Sequence, residues 1–344
     1  MTAAADRRPP SVAPLVVTLG DPAGVGPEIV IDAWRDLVAA GEAAVPFAVV
    51  GDAGLLRGLG AEVAEVMGPF DAPGLFRRAL PVIHSPLAAP VQAGRPDPRN
   101  AGAVADWIEQ AVDLALSGQA GGVVTAPIAK APMYASGFRF PGHTEFIAEL
   151  TADAPFAGTR GPVMMLTAKD LRACLVTIHV ALDQVAELLT AERVSRTARV
   201  VHESMRRDFG IDSPRLALAA LNPHAGEDGA LGMQEIEILR PAAAALRQEG
   251  LRITDPLPAD TLFHDEARKH YDAVVCLYHD QALIPVKTLD FWGGVNATLG
   301  LPIVRTSPDH GTGFDIAGKG VARPDSLIAA IRLAAEMAAA RNHP

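Results

Sequence analysis

Apolar runs alternate along the chain with longer amphipathic runs. Leu15 to Leu19, Phe47 to Val50, Gly122 to Thr125 and Val163 to Leu166 have the length and content of short buried strands. Ile29 to Ala40 and Ala103 to Leu116 carry apolar residues at spacings of three and four, which is a helical period. In the second of these, starting at Asn100 or Gly102, Val104, Ile108, Ala111, Val112 and Ala115 share one face, and that face must be buried. Such alternation predicts a largely parallel sheet with crossover helices. Alanine-rich Ser326 to Ala340 reads as a packed final helix, and Pro81 to Pro98 as an extended connection.

Three further strand-like runs each end on a histidine: Ala173 to His179, Leu216 to His224 and Ala273 to His279. In open α/β sheets ligands gather outside the carboxyl ends of the strands. One histidine there more often caps a strand or meets a carbonyl. Three imidazoles delivered to the same edge could converge on one metal ion although they are remote in sequence.

Composition narrows the picture. A chain of 344 residues exceeds what one core usually fills, so two lobes with a cleft between them are expected. The net charge of −10 argues against sequence-independent binding to nucleic acid, which needs a basic face. No apolar run reaches the roughly 18 residues that would span a bilayer. An anionic substrate would therefore need locally placed cations, and Lys287 and Arg305 are the candidates. Cys174 and Cys276 lie inside apolar runs and read as reduced, buried thiols, which fits a cytoplasmic location. Residues 1–11 read as a mobile tail.

Two turns add chemistry. Gly20-Asp-Pro-Ala-Gly-Val-Gly-Pro-Glu28 leads from a strand into a helix with Pro27 in its first turn, and the helix amides could meet an anion. It is neither the dinucleotide fingerprint nor a P-loop. Phe140-Pro-Gly-His-Thr-Glu-Phe146 sets His143 and Thr144 at the mouth of a helix, where they either face a phosphate or, for Thr144, merely cap it.

Together with Gly142-His-Thr-Glu145, Leu221-Asn-Pro-His-Ala-Gly-Glu227, Leu257-Pro-Ala-Asp-Thr261, Tyr278-His-Asp-Gln281 and Thr298-Leu-Gly-Leu-Pro-Ile-Val-Arg-Thr-Ser307, the first turn gives a chain that resembles the 4-hydroxythreonine-4-phosphate dehydrogenase family of pyridoxal phosphate synthesis from about Leu15 onward. That turn and His310-Gly-Thr-Gly-Phe-Asp-Ile-Ala-Gly-Lys-Gly320 are also similar to isocitrate and isopropylmalate dehydrogenases. The resemblance implies a two-lobed α/β/α fold of the isocitrate dehydrogenase kind, with the active site in the interdomain cleft at a dimer interface. Residues 12–139 plus 286–344 would form a discontinuous cofactor-binding lobe, and 140–285 a metal-binding and dimerisation lobe.

It also implies that His179, His224 and His279 hold a divalent metal with ligands drawn from both subunits of a homodimer. An all-imidazole set with an open position suits zinc, with magnesium, manganese and cobalt as alternatives. The implied substrate contacts are His143, Thr144, Lys287, Asn296 and Arg305; the implied cofactor contacts, for NAD or NADP, are His310, Gly311 and Asp315. Asp280 is a candidate for moving the hydroxyl proton, or for orienting His279 instead. The expected reaction is oxidation of 4-phosphooxy-L-threonine followed by loss of CO2, giving 3-amino-2-oxopropyl phosphate. Three rivals stay open: a 4-phospho-threonate or phospho-erythronate dehydrogenase of the same family, a metal-dependent hydrolase or aldolase that needs no nicotinamide, and a non-catalytic protein that binds a phosphorylated ligand.

Overall fold

A computed structural model describes residues 13–41 and 45–342; the expected tail at residues 1–11 lies outside them. The strands are β1 (Leu15–Thr18), β2 (Phe47–Gly51), β3 (Val63–Glu65), β4 (Leu80–His84), β5 (Val123–Thr125) and β6 (Val163–Ala168). They continue as β7 (Leu171–Leu175), β8 (Arg215–Ala219), β9 (Arg252–Leu257), β10 (Ala273–Cys276), β11 (Val295–Leu299) and β12 (Arg305–Pro308). All twelve form one sheet in the order β3-β4-β2-β1-β5-β12-β11-β6-β7-β10-β8-β9.

The sheet is largely parallel, as the alternation predicts. Its middle is not: β12 with β11, β11 with β6, and β6 with β7 pair antiparallel. The expected division at 139/140 and 285/286 would cut the sheet between β11 and β6, and its second boundary falls inside the continuous helix His279–Leu289. The central strands are buried along their whole length, which is why they read as unbroken apolar runs. Edge strand β9 instead buries only Ile253 and Pro256.

The helix Gly26–Ala39 has Pro27 in its first turn and buries Ile29, Val30, Ala33, Trp34 and Leu37. The helix Ala101–Leu116 buries Val104, Ile108, Ala111 and Val112 as expected, with Trp107 beside them. The last helix, Asp325–Arg341, packs on β12, where Thr306 Oγ1 donates to the Ala330 carbonyl at 2.8 Å. One expectation needs correction. The stretch beginning at Pro81 is not all connection, because its first residues belong to β4, between β3 and β2. Proline argues against a strand, yet Pro81 stands near the start of this one. Among the described residues no helix is long and apolar enough to cross a membrane. Cys174 and Cys276 are free and buried on the neighbouring strands β7 and β10, and burial raises both thiols above their ordinary range.

Candidate active site

β10 lies between β7 and β8, and all three run in the same direction. Their carboxyl ends therefore share one edge of the sheet. The histidines stand beyond these ends: His179 and His224 on the loops after β7 and β8, and His279 as the first residue of the helix His279–Leu289. The rings of His179 and His279 have centroids 6.0 Å apart. Two imidazoles on one ion, each with nitrogen about 2 Å from it, have centroids roughly 5–6 Å apart. His279 Nδ1 is bound to Asp280 Oδ1 at 2.7 Å, which leaves Nε2 for a ligand. Desolvation, then the nearby Lys130 and His279, hold His179 below the usual imidazole range and favour the neutral form that binds metal.

His224 is not brought against the other two rings. Among the described residues no three His, Cys, Asp or Glu side chains gather closely enough to hold a metal. His224 instead begins an unusual turn in which His224, Ala225, Gly226, Glu227 and Asp228 all have left-handed backbone angles, φ between 44° and 79°. Only glycine adopts this conformation freely, and each of the other residues costs roughly 1–2 kcal/mol. The turn must be held from outside.

A cavity of about 380 Å3 opens beside His179 and gathers His143, Thr144, Asn296, Arg305, His310 and Gly311. The helix His143–Leu150 presents its start to this space, with Gly142 as the residue before it and no side chain capping it. Phe138, Phe140 and Phe146 stack behind that start, with centroids 4.9 to 5.4 Å apart, and fix its position. Thr144 therefore does not cap this helix.

Arg305, at the start of β12, is only 2% exposed. Its two terminal nitrogens donate to Thr298 Oγ1 at 3.1 Å and Thr125 Oγ1 at 2.7 Å. Among the described residues it makes no ion pair, although Glu145 is near enough to favour its charge. Burial pushes its pKa down to about 10. Its Nε, His143 Nε2 and Asn296 Oδ1 are all buried with no hydrogen-bond partner in the protein. Buried polar atoms are rarely left so, and these three border one cavity, where a polar ligand or water would complete them.

Desolvation, with Arg305 adding to it, holds His143 well below the ordinary imidazole value of 6.5. Unfolded chains bind its proton below about pH 6.5 while the folded protein does not, so this residue lowers stability as pH falls, by about 1.4 kcal/mol per pH unit. Replacing His143→Gln should flatten the decline of urea stability between pH 7.5 and 5.5. An unchanged slope would show that His143 is not held neutral.

Lys287 lies elsewhere. Its Nζ is 2.6 Å from the Asp309 carbonyl oxygen and 2.8 Å from the Asp309 carboxylate, and it borders a second cavity of about 400 Å3 with Val25, Ile29, Phe291, Trp292 and Ile316. Asp309, His310 and Gly311 line both cavities and form the wall between them. Asp315 is exposed and lines neither. Within the glycine-rich turn, the Asp21 amide donates to the Pro127 carbonyl and the Val25 amide to the Thr312 carbonyl. A Cβ at Gly20 would lie 2.3 Å from the Pro127 oxygen, so the glycine serves backbone packing.

Sequence reasoning missed Thr125 and Thr298, which hold the Arg305 fork, and Asp309. The signal for the two threonines was position: Thr125 ends an expected strand and Thr298 opens the motif that carries Arg305.

A model of the family described as pyridoxal phosphate biosynthetic protein PdxA matches residues 44–334. The chain belongs to the PdxA family. Among its PdxA relatives, the 4-hydroxythreonine-4-phosphate dehydrogenase of Caulobacter vibrioides is 62% identical over 95% of this chain and 98% of its own. The solved 4-hydroxythreonine-4-phosphate dehydrogenase of Klebsiella pneumoniae is 38% identical with a TM-score of 0.83, covering 95% of this chain and 99% of that one. A terephthalate 1,2-cis-dihydrodiol dehydrogenase from Burkholderia xenovorans LB400 matches with a TM-score of 0.63 at 28% identity, over 94% of this chain and 97% of that one. This PdxA chain is accordingly an enzyme, an oxidoreductase with the α/β fold of those structures.

Proposed function

We propose that the protein oxidises 4-phosphooxy-L-threonine with NAD or NADP and releases CO2 to give 3-amino-2-oxopropyl phosphate, as a 4-hydroxythreonine-4-phosphate dehydrogenase of pyridoxal phosphate biosynthesis. The observation that carries this reading is the buried Arg305 guanidinium facing the cavity with Nε unpartnered. A buried charge without a counter-ion is strongly unfavourable, and an anionic substrate supplies what is lacking. The identity of the chain to its Caulobacter relative supports the substrate.

Arg305 would grip one anionic end of the substrate, its fork aligned by Thr125 and Thr298. Neutral His143 and the Thr144 hydroxyl would orient the phosphate ester at the open helix start, and Asn296 Oδ1 would accept from a substrate N–H or O–H. His179, His224 and His279 would hold a divalent metal, for which the free Nε2 of His279 and the neutral His179 are suited. When bound, such an ion supplies Lewis acidity to the hydroxyl that is oxidised and to the ketone that loses CO2. A nicotinamide cofactor supplies the oxidising power, and the apolar second cavity beside His310 and Gly311 suits its rings. Asp280, bonded to His279 Nδ1, is better placed to orient that ring than to take the substrate proton. A homodimer with shared sites accounts for His224 standing apart from its two companions.

Purified protein given NAD and 4-phosphooxy-L-threonine should form NADH and CO2 in equal amounts. A marked preference for 4-phospho-threonate or phospho-erythronate would move the assignment within the family. Turnover of a phosphorylated substrate without nicotinamide would overturn it.

A further inference from the structure

The carboxylate of Glu235 is fully buried, and it is spent on the loop that carries His224. Glu235 Oε1 accepts the backbone N–H groups of Leu221 and Asn222, both at 2.8 Å, and Oε2 accepts from Asn222 Nδ2 at 2.9 Å. These residues immediately precede the left-handed turn that His224 begins. The turn folds back on the same carboxylate: a Cβ on Gly226 would lie 2.7 Å from Glu235 Oε2, and one on Gly232 would lie 2.4 Å from Asn222 Nδ2. Asn222 Nδ2 also donates to Gln234 Oε1 at 2.8 Å. Glu235 itself opens a π-helical turn, Glu235–Leu239, a distortion that recurs at functional positions.

A buried carboxylate bonded only to neutral donors is a costly choice for a loop anchor, and no ion pair offsets it among the described residues. Charged acceptors hold backbone amides about twice as strongly as neutral ones, which is the use made of it here.

We propose that Glu235 is a positioning residue: its carboxylate fixes the exit of β8 and the left-handed turn, and so presents the His224 imidazole for metal binding. This rests on the reading of His224 as a ligand. Glu235 touches neither substrate nor reacting atoms.

The test is metal affinity of the full-length protein, titrated with Zn2+ by calorimetry and with Co2+ by its visible absorption, for wild type, His224→Ala, Glu235→Gln and Asn222→Ser. Glu235→Gln keeps the shape but turns a donor toward Asn222 Nδ2. It should weaken Zn2+ binding at least tenfold and shift the Co2+ bands, while circular dichroism and gel filtration stay those of wild type. Asn222→Ser, which removes both hydrogen bonds of Asn222 Nδ2, should weaken binding at least threefold. If Glu235→Gln does not fold, Asn222→Ser carries the test alone. Unchanged affinity in these variants, with His224→Ala weakened, would overturn the role of Glu235. Unchanged affinity in His224→Ala would overturn the ligand assignment itself.

Discussion

Arg305→Met should lower kcat/KM for the phosphorylated substrate by roughly 10²–10⁴-fold and leave the substrate-free protein as stable as wild type or more so. The first effect follows from removing one partner of a buried charge contact, about 3–5 kcal/mol. The second follows because Arg305 is 2% exposed and its hydrogen-bond partners are the neutral Thr298 and Thr125 hydroxyls, with no ion pair among the described residues. Replacing such a charge by an apolar side chain of similar volume is neutral or stabilising by about 1–4 kcal/mol. The opposite signs are the informative part. Steady-state kinetics and thermal melts with and without inorganic phosphate would read both, and phosphate should raise the melting temperature of wild type alone. Arg305→Lys keeps the charge but cannot reach Thr125 and Thr298 together, so it should rescue only part of the activity. Activity within tenfold of wild type in the methionine variant would remove Arg305 from the substrate site.

Chelation is expected to abolish turnover, by at least about 10³-fold, with recovery on adding back a divalent ion. His279→Ala and His179→Ala should reproduce that loss and resist add-back, since their rings are the two that stand 6.0 Å apart. Asp280→Asn should be milder. It disturbs the 2.7 Å bond to His279 Nδ1 rather than a ligand, and outer partners of this kind are worth about 10–100-fold in affinity or activity. Full activity after exhaustive metal removal would refute the metal reading, and the hydride acceptor would then have to work on an unactivated hydroxyl.

The sequence carried the strands well where they are buried on both faces, as in β1, β2 and β10, because nothing but a continuous apolar run fits there. It hid β4 behind Pro81 and could not announce that β6, β7, β11 and β12 pair antiparallel, since pairing direction leaves no periodic trace. The three histidines were legible one by one, each after an apolar strand-like run, and the structure brings His179 and His279 together while His224 stands apart. That β10 would lie between β7 and β8 was not, because strand order is a tertiary fact. Arg305 was visible only as a cation; one of the two hydroxyls that align its fork comes from Thr125, which is remote in sequence. Lys287 was expected at the substrate and is bound to Asp309, a partner no local pattern connects to it. Glu235 drew no notice, because acidic residues interleaved with Ile236 and Ile238 read as the solvent face of an amphipathic segment until the Leu221 and Asn222 amides are seen to converge on one of them.

The strand that carries Arg305 is inserted between β5 and β11, so a ribosome must finish most of the polypeptide before the opening portion can close its own sheet. Leu15 to Thr125 would wait during synthesis with the flank of β5 unpaired, a state exposed to mispairing and to chaperones. Splitting the gene between the two groups of strands should therefore yield insoluble fragments.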